Sequence, residues 1–170
     1  MNLLPRLQER AQAGRPVRVA LIGAGKFGSM FLAQVPTIPG LEVTAIADLD
    51  PDRARLACRT VGWDEERIRG TRFVASGIEA AGLDRVDVVV EATGSPEAGI
   101  RHALAAFAAK RHVVMVNVEA DVLAGPVLAR YAREAGVVYS MAYGDQAALI
   151  AEMVDGAGAA GFTVAGAGKG

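Results

Sequence analysis

The sequence predicts an α/β protein built on a doubly wound, mainly parallel sheet. Two observations carry this reading. From residue 17 onward, short apolar runs alternate with segments of helical period, the pattern of repeated strand-helix-strand units. Most of the runs are apolar at successive positions, as strands covered by helices on both faces require. The 170 residues, 52% hydrophobic and 22% charged with a formal charge of -1, suffice for one domain with its own core.

The elements follow in order. Residues 1–16 read as an N-terminal amphipathic segment, with Leu3, Leu4 and Leu7 on one side, ahead of a domain spanning 17–170. Strands are expected at 17–23, 41–48, 86–93, 112–118, 137–143 and 162–167, with a weaker run at 72–75. After the first strand, Phe27, Met30, Phe31 and Val35 share one helical face, which Pro36 ends,. Asp50-Pro51 and Ser95-Pro96 each put a capping side chain before a proline at the first helical position,. The second of these opens a helix carrying Ile100, Ala103, Leu104 and Phe107. Gly125-Pro126 suggests the same start for the stripe Val127, Leu128, Tyr131, Ala132 and Ala135. A last helix is expected from Asp145, with Leu149, Ile150 and Met153 facing inward. The Gly- and Ala-rich tail stops just past its strand, so a substrate-binding and dimerisation region is expected downstream.

Composition excludes several classes of function. A nearly neutral chain is not basic enough to bind nucleic acid,, and no run of about 18 apolar residues reads as a membrane span. The N-terminus lacks the basic start, apolar stretch and cleavage site of a signal peptide, which points to the cytoplasm,. Cys58, the single cysteine, has no partner for a disulfide and reads as a helix-packing residue,. No Cys/His cluster, Ser-His-Asp set or nucleophile elbow is visible, so neither zinc nor hydrolase chemistry is expected,. Small molecules and like subunits remain as partners.

Gly23-Ala24-Gly25-Lys26-Phe27-Gly28 matches G-x-G-x-x-G between a strand and a helix, the setting in which this motif binds a dinucleotide. The first glycine permits the turn, the second lets a pyrophosphate approach the backbone, and the third lets helix and strand pack. Asp48 ends the second strand about twenty residues past Gly28, where a carboxylate reaches the adenosine ribose. NAD or NADP is the implied cofactor. NAD is favoured, because Asp48 repels a 2'-phosphate, although Arg53 or Arg55 offers that phosphate a partner.

Ligands of an open parallel sheet bind outside the carboxyl ends of its strands. Those ends carry Thr93-Gly94-Ser95, Asn117, Glu119, Tyr143, Asp145 and Lys169. Thr93, Gly94, Ser95 and Asn117 join the cofactor-binding set, and Glu119, Asp145 and Lys169 are the candidates for proton transfer, with Tyr143 a further possibility. His102, inside a helix, and His112, at the opposite end of its strand, are assigned packing or surface roles.

"VALIGAGKFGSMF", "AIADLDPDRA", "VVVEATGSPEAG", "HVVMVNVEADVLAGP" and "YSMAYGDQ" together resemble the N-terminal domain of homoserine-dehydrogenase-like NAD(P)-binding oxidoreductases. The nearest branch carries a C-terminal SAF domain and includes enzymes similar to 1-deoxy-D-xylulose 5-phosphate reductoisomerase. The resemblance spans residues 17–170. It implies a Rossmann cofactor domain in a longer, homo-oligomeric enzyme that acts on a small polar alcohol or carbonyl. Reductoisomerisation of a sugar phosphate is the alternative, and a non-catalytic NAD(H)-binding regulatory module is a third reading. Val116-Asn117-Val118 keeps the asparagine of the Ala-Asn-Lys typical of homoserine dehydrogenases but lacks the lysine.

Overall fold

The structure, a computed structural model, describes residues 3–144 and 146–168. Among these, β1 (Val17–Ile22), β2 (Leu41–Ala47), β3 (Arg72–Val74), β4 (Val88–Glu91), β5 (His112–Met115) and β6 (Tyr139–Met141) form one parallel sheet in the order β3-β2-β1-β4-β5-β6. The helices are α1 (Leu3–Gln12), α2 (Lys26–Gln34), α3 (Pro51–Thr60), α4 (Glu65–Gly70), α5 (Gly77–Ala81), α6 (Pro96–Ala108), α7 (Val118–Ala135) and α8 (Gln146–Ala159). Strand order reverses between β1 and β4, which opens a crevice at their carboxyl ends,.

The continuous apolar runs have a direct physical reason. Ala20 and Ile22 of β1 face one core, shared with Ala80, Ala103, Phe107 and Leu128 of α5, α6 and α7. Val19 and Leu21 face the other, shared with Leu32, Ala54 and Cys58 of α2 and α3. Full burial of a side chain such as Leu21 contributes roughly 2 kcal/mol, so neither face of the strand tolerates a polar residue. Burial also pushes the Cys58 thiol up to about 11, in keeping with a packing role. Asp50 and Ser95 cap α3 and α6 as their Asp-Pro and Ser-Pro pairs imply.

Three expectations are corrected. Residues 162–167 form no strand, and Phe162 and Val164 are exposed. The surrounding Gly and Ala give that segment little side chain with which to hold itself against the sheet. Second, β5 stops at Met115 and α7 starts at Val118, eight residues before Pro126. Asn117 supplies the cap, its Oδ1 accepting the Ala120 N–H at 3.1 Å. Pro126 is tolerated inside the helix because it and Val122 are both exposed, which leaves the carbonyl four residues back on the solvent side,. Third, Leu149 and Met153 of α8 are exposed rather than inward-facing.

The opposite edge of the sheet is fastened by charge. Arg18 donates through Nε and Nη2 to the two oxygens of Asp87, at 3.0 and 2.6 Å, and its backbone N–H adds a third bond at 2.9 Å. These bonds tie the start of β1 to the residue before β4. The side-chain bond to Arg18 is the main reason the Asp87 carboxyl is held below its ordinary value. A carboxylate with a depressed folded value contributes stability that is complete above the unfolded value, about 3.9, and lost as pH falls through the folded one. Asp87→Asn should therefore be less stable than the parent at neutral pH, and the difference should shrink steadily in acid. Urea unfolding at a series of pH values measures this, and a pH-independent difference would contradict it.

Candidate functional site

The crevice begins at the turn after β1. Gly23 has φ +98°, and a Cβ there would stand 2.7 Å from the Ala92 carbonyl oxygen. A Cβ at Gly28 would collide with the Gly23 carbonyl, so α2 rests directly on the turn. Gly25 differs from both. Its φ of -73° suits any residue, and a Cβ there would meet nothing within 4 Å. Packing demands glycine at 23 and 28, but nothing in the protein demands it at 25. Gly25 is also the N-cap of α2 and gives no side-chain bond to the helix's first turn, so N–H groups and the positive end of the helix dipole face the crevice. That combination fits a dinucleotide's pyrophosphate. Ala24 is buried, Lys26 is exposed at the helix start, and Phe27 lies with Val90 and Val114 on another face of the sheet.

Asp48 braces the turn from β2. One carboxylate oxygen accepts the Ala24 N–H at 3.0 Å; the other accepts the Asp50 N–H at 3.1 Å and Arg53 Nη2 at 2.6 Å. Burial raises the Asp48 carboxyl, but the Asp50 N–H, the Arg53 guanidinium and the Ala24 N–H outweigh it and hold the group below its ordinary value,. The oxygen bonded to Ala24 keeps a free lone pair for a further donor. Of the two arginines weighed for a phosphate, Arg53 borders the crevice. Arg55 is paired with Asp52 and stacked over Phe73, 4.7 Å from the ring centre.

On the other side of β1, the 93–95 loop is organised from below. Asn117 is buried, and its Nδ2 donates to the Ser95 carbonyl at 2.8 Å and to Thr93 Oγ1 at 3.4 Å. With its Oδ1 capping α7, Asn117 acts on the crevice through this loop. Ser95 accepts the Ala98 N–H as the cap of α6, and Gly94 takes φ +72° with open space beside it. Of the proton-transfer candidates, Glu119 is exposed in the first turn of α7; Asp145 and Lys169 lie outside the described residues. Tyr143 is exposed and donates to Glu152.

His102 lies inside α6, as the sequence suggests. Its side chain is 13% exposed and forms part of the crevice wall, with Nδ1 3.2 Å from Oε1 of Glu91. Glu91 is fully buried at the end of β4; its Oε1 also accepts the Thr93 hydroxyl at 2.6 Å, and its Oε2 has no partner among the described residues. The signal for Glu91 is a single acidic residue closing an apolar strand. His102 is brought beneath it because α6 folds back along β4. His112 opens β5 at the far edge, as expected, and accepts the Val138 N–H. The whole crevice measures about 350 Å³ and runs from Gly25 past Asp48 to His102. Among the described residues, no group of His, Cys, Asp or Glu could hold a metal, and no helix is long and apolar enough to cross a membrane.

No curated protein matches the sequence. Among solved structures, an NAD binding oxidoreductase from Klebsiella pneumoniae is 26% identical with a TM-score of 0.59, over 84% of this chain and 39% of its own. The WlbA dehydrogenase from Chromobacterium violaceum, solved with NADH and UDP-GlcNAcA, is 19% identical with a TM-score of 0.62, over 84% and 39%. A homoserine dehydrogenase from Thiobacillus denitrificans is 21% identical with a TM-score of 0.61, over 74% and 29%. The chain thus spans between 29% and 39% of the length of these proteins, and the last two are similar in fold. Residues 17–143 match the Gfo/Idh/MocA family model, and with the glycine turn opening at the switch point of the sheet, the chain belongs to this family of oxidoreductases with an NAD-binding Rossmann fold.

Proposed function

We propose that this chain is the cofactor-binding part of an NAD-dependent oxidoreductase, homoserine-dehydrogenase-like, acting on a small polar alcohol or carbonyl compound. The observation that carries the reading is Gly25, a glycine that neither backbone conformation nor packing requires, open to the crevice at an uncapped helix N-terminus. Its missing Cβ leaves the space a pyrophosphate needs, and the first N–H groups of α2 donate to it. The free lone pair of Asp48 takes a ribose hydroxyl. The Thr93-Gly94-Ser95 loop, held by Asn117, borders the nicotinamide half. NAD, when bound, supplies the hydride chemistry, and the protein's task is to orient it and manage a proton.

Glu119, in the first turn of α7 after β5, is assigned to that proton; Asp145 and Lys169, the other candidates from the sequence, lie outside the described residues. The homoserine-dehydrogenase-like substrate class rests on the five sequence stretches described above and on the presence of homoserine dehydrogenases among the structural neighbours. Residues 17–170 are assigned to the cofactor domain, and the groups that close over the nicotinamide are assigned to a further segment or subunit. Hydride transfer needs donor and acceptor carbons near contact in a site closed to water.

Gly25→Val should weaken NADH binding by about tenfold or more, since the new side chain fills the phosphate space. Its unfolding midpoint should barely change, because the Cβ meets open space; unchanged affinity in a calorimetric titration would refute the pyrophosphate assignment. Asp48→Asn removes a charge that repels a 2'-phosphate and frees Arg53, so the ratio of NAD to NADP affinity should fall by about tenfold. If the parent already prefers NADP, Arg53 rather than Asp48 governs the choice. For the reaction, this chain and a version extended past residue 170 are assayed for NADH oxidation with small aldehydes, ketones and sugar phosphates. The expected result is tight NADH binding by both and efficient turnover of a small carbonyl only by the longer one. Turnover of a sugar phosphate alone would shift the assignment to reductoisomerisation, and no turnover by either would favour a regulatory module.

A further inference from the structure

The carboxyl group at the end of β4 stands where an apolar side chain would serve the fold better. Glu91 is fully buried and pairs laterally in the row Ala47, Ile22, Glu91, Met115 and Met141, whose other members are all apolar. A methionine fits such a row by length and character. The carboxyl instead leaves Oε2 without a partner among the described residues, and a polar group buried in that state works against the folded protein.

What the carboxyl does hold is Thr93. The Thr93 hydroxyl oxygen accepts the Ser95 N–H at 3.3 Å and Asn117 Nδ2 at 3.4 Å, and neither group can do anything but donate to it,. Asn117 is fixed in that sense because its Oδ1 caps α7. With both lone pairs of the hydroxyl engaged, its one hydrogen goes to Oε1 of Glu91, 2.6 Å away,. The direction of this bond is set from the Thr93 side, whatever the protonation of His102, whose Nδ1 lies 3.2 Å from the same oxygen. Gly99 leaves room for the carboxyl, since a Cβ there would stand 3.1 Å from Oε2. Thr93 is exposed on the loop that lines the crevice, and Glu91 ties its hydroxyl down from beneath.

β1 lies between β2 and β4 in the sheet. With the adenosine ribose at Asp48 and the pyrophosphate at Gly25, the rest of the dinucleotide passes over the end of β4, where the 93–95 loop stands. We propose that Glu91 is a positioning residue for the second ribose and the nicotinamide: through the Thr93 hydroxyl it holds this loop in the shape that receives them, and the sheet is less stable for its presence. The inference rests on NAD binding in this crevice and adds to it a residue that touches no part of the cofactor.

The test compares NADH with ADP, which ends at the pyrophosphate, by calorimetry on the parent, Glu91→Met, Thr93→Val and the double variant, with thermal unfolding of each. Glu91→Met should melt at or above the parent and bind ADP within about twofold of it, yet bind NADH about tenfold more weakly. Thr93→Val should show the same selective loss. The double variant should lose no more than Thr93→Val alone, because both changes remove one interaction. A Glu91→Met chain that melts well below the parent, or does not fold, would assign the carboxyl to the fold and overturn the proposal. So would a folded Glu91→Met that keeps the parental ratio of NADH to ADP affinity, or losses that add in the double variant. Thr93→Val decides independently of any change at position 91, since a parental ratio there leaves Glu91 nothing to act through. Binding of neither ligand by the parent would overturn the proposal together with the cofactor assignment beneath it, an outcome distinct from an unchanged ratio.

Discussion

The close approach of two stretches of backbone sets the rest of this architecture. At the switch point, the turn after β1 passes so near the end of β4 that only hydrogen fits on Gly23, and α2 then presses on the Gly23 carbonyl through Gly28. Asp48 locks the arrangement from β2 by accepting the N–H of Ala24. Three strands thereby converge on one turn, and the start of α2 has a single place to go. Its N-terminus faces a crevice, and Gly25 leaves that face bare. The same contacts that close-pack the sheet thus expose the donors a pyrophosphate would use.

Much of this was legible in the sequence because each feature has a local cause. Runs apolar at every position mark doubly covered strands, and Asp50-Pro51 and Ser95-Pro96 mark helix starts, since cap and proline act within one turn. The glycine motif was legible as a unit, but the division of labour within it was not: that Gly23 and Gly28 answer to packing while Gly25 answers to open space depends on contacts with Ala92 and with the turn itself. The start of α7 was misread because Gly125-Pro126 is a strong local signal, whereas Asn117 caps from a position that also reads as strand. Residues 162–167 carry β-branched and aromatic side chains but no packing partner, and propensity alone does not make a strand.

The least legible feature was the pair of Glu91 and His102. Neither is unusual alone: one ends an apolar strand, the other lies in a helix. Their relation arises from the crossover that returns α6 beneath β4, helped by Gly99 and Gly77. A Cβ at Gly99 would crowd Asn117, Ala120 and Glu91, and one at Gly77 would crowd the imidazole. Two glycines outside the motif therefore shape the crevice as much as those inside it. Asn117, read as a ligand, turns out to be a brace that joins the loop after β4 to the start of α7.

The polar groups of the carboxyl edge thus fall into two kinds. Asp48, Thr93, Asn117, Glu91 and His102 are tied to one another or to the backbone, mostly at hydrogen-bond distance, and their geometry is fixed before any ligand arrives. Pre-organisation of that sort serves recognition, because the entropy of ordering those side chains is spent in folding rather than in binding. Glu119 and Tyr143 are exposed instead, Tyr143 with its hydroxyl bonded to Glu152 on α8. A set of side chains ordered in folding suits the holding of an NAD cofactor, whereas an exposed group such as Glu119 still has rotamer entropy to lose before it can act at a fixed point,.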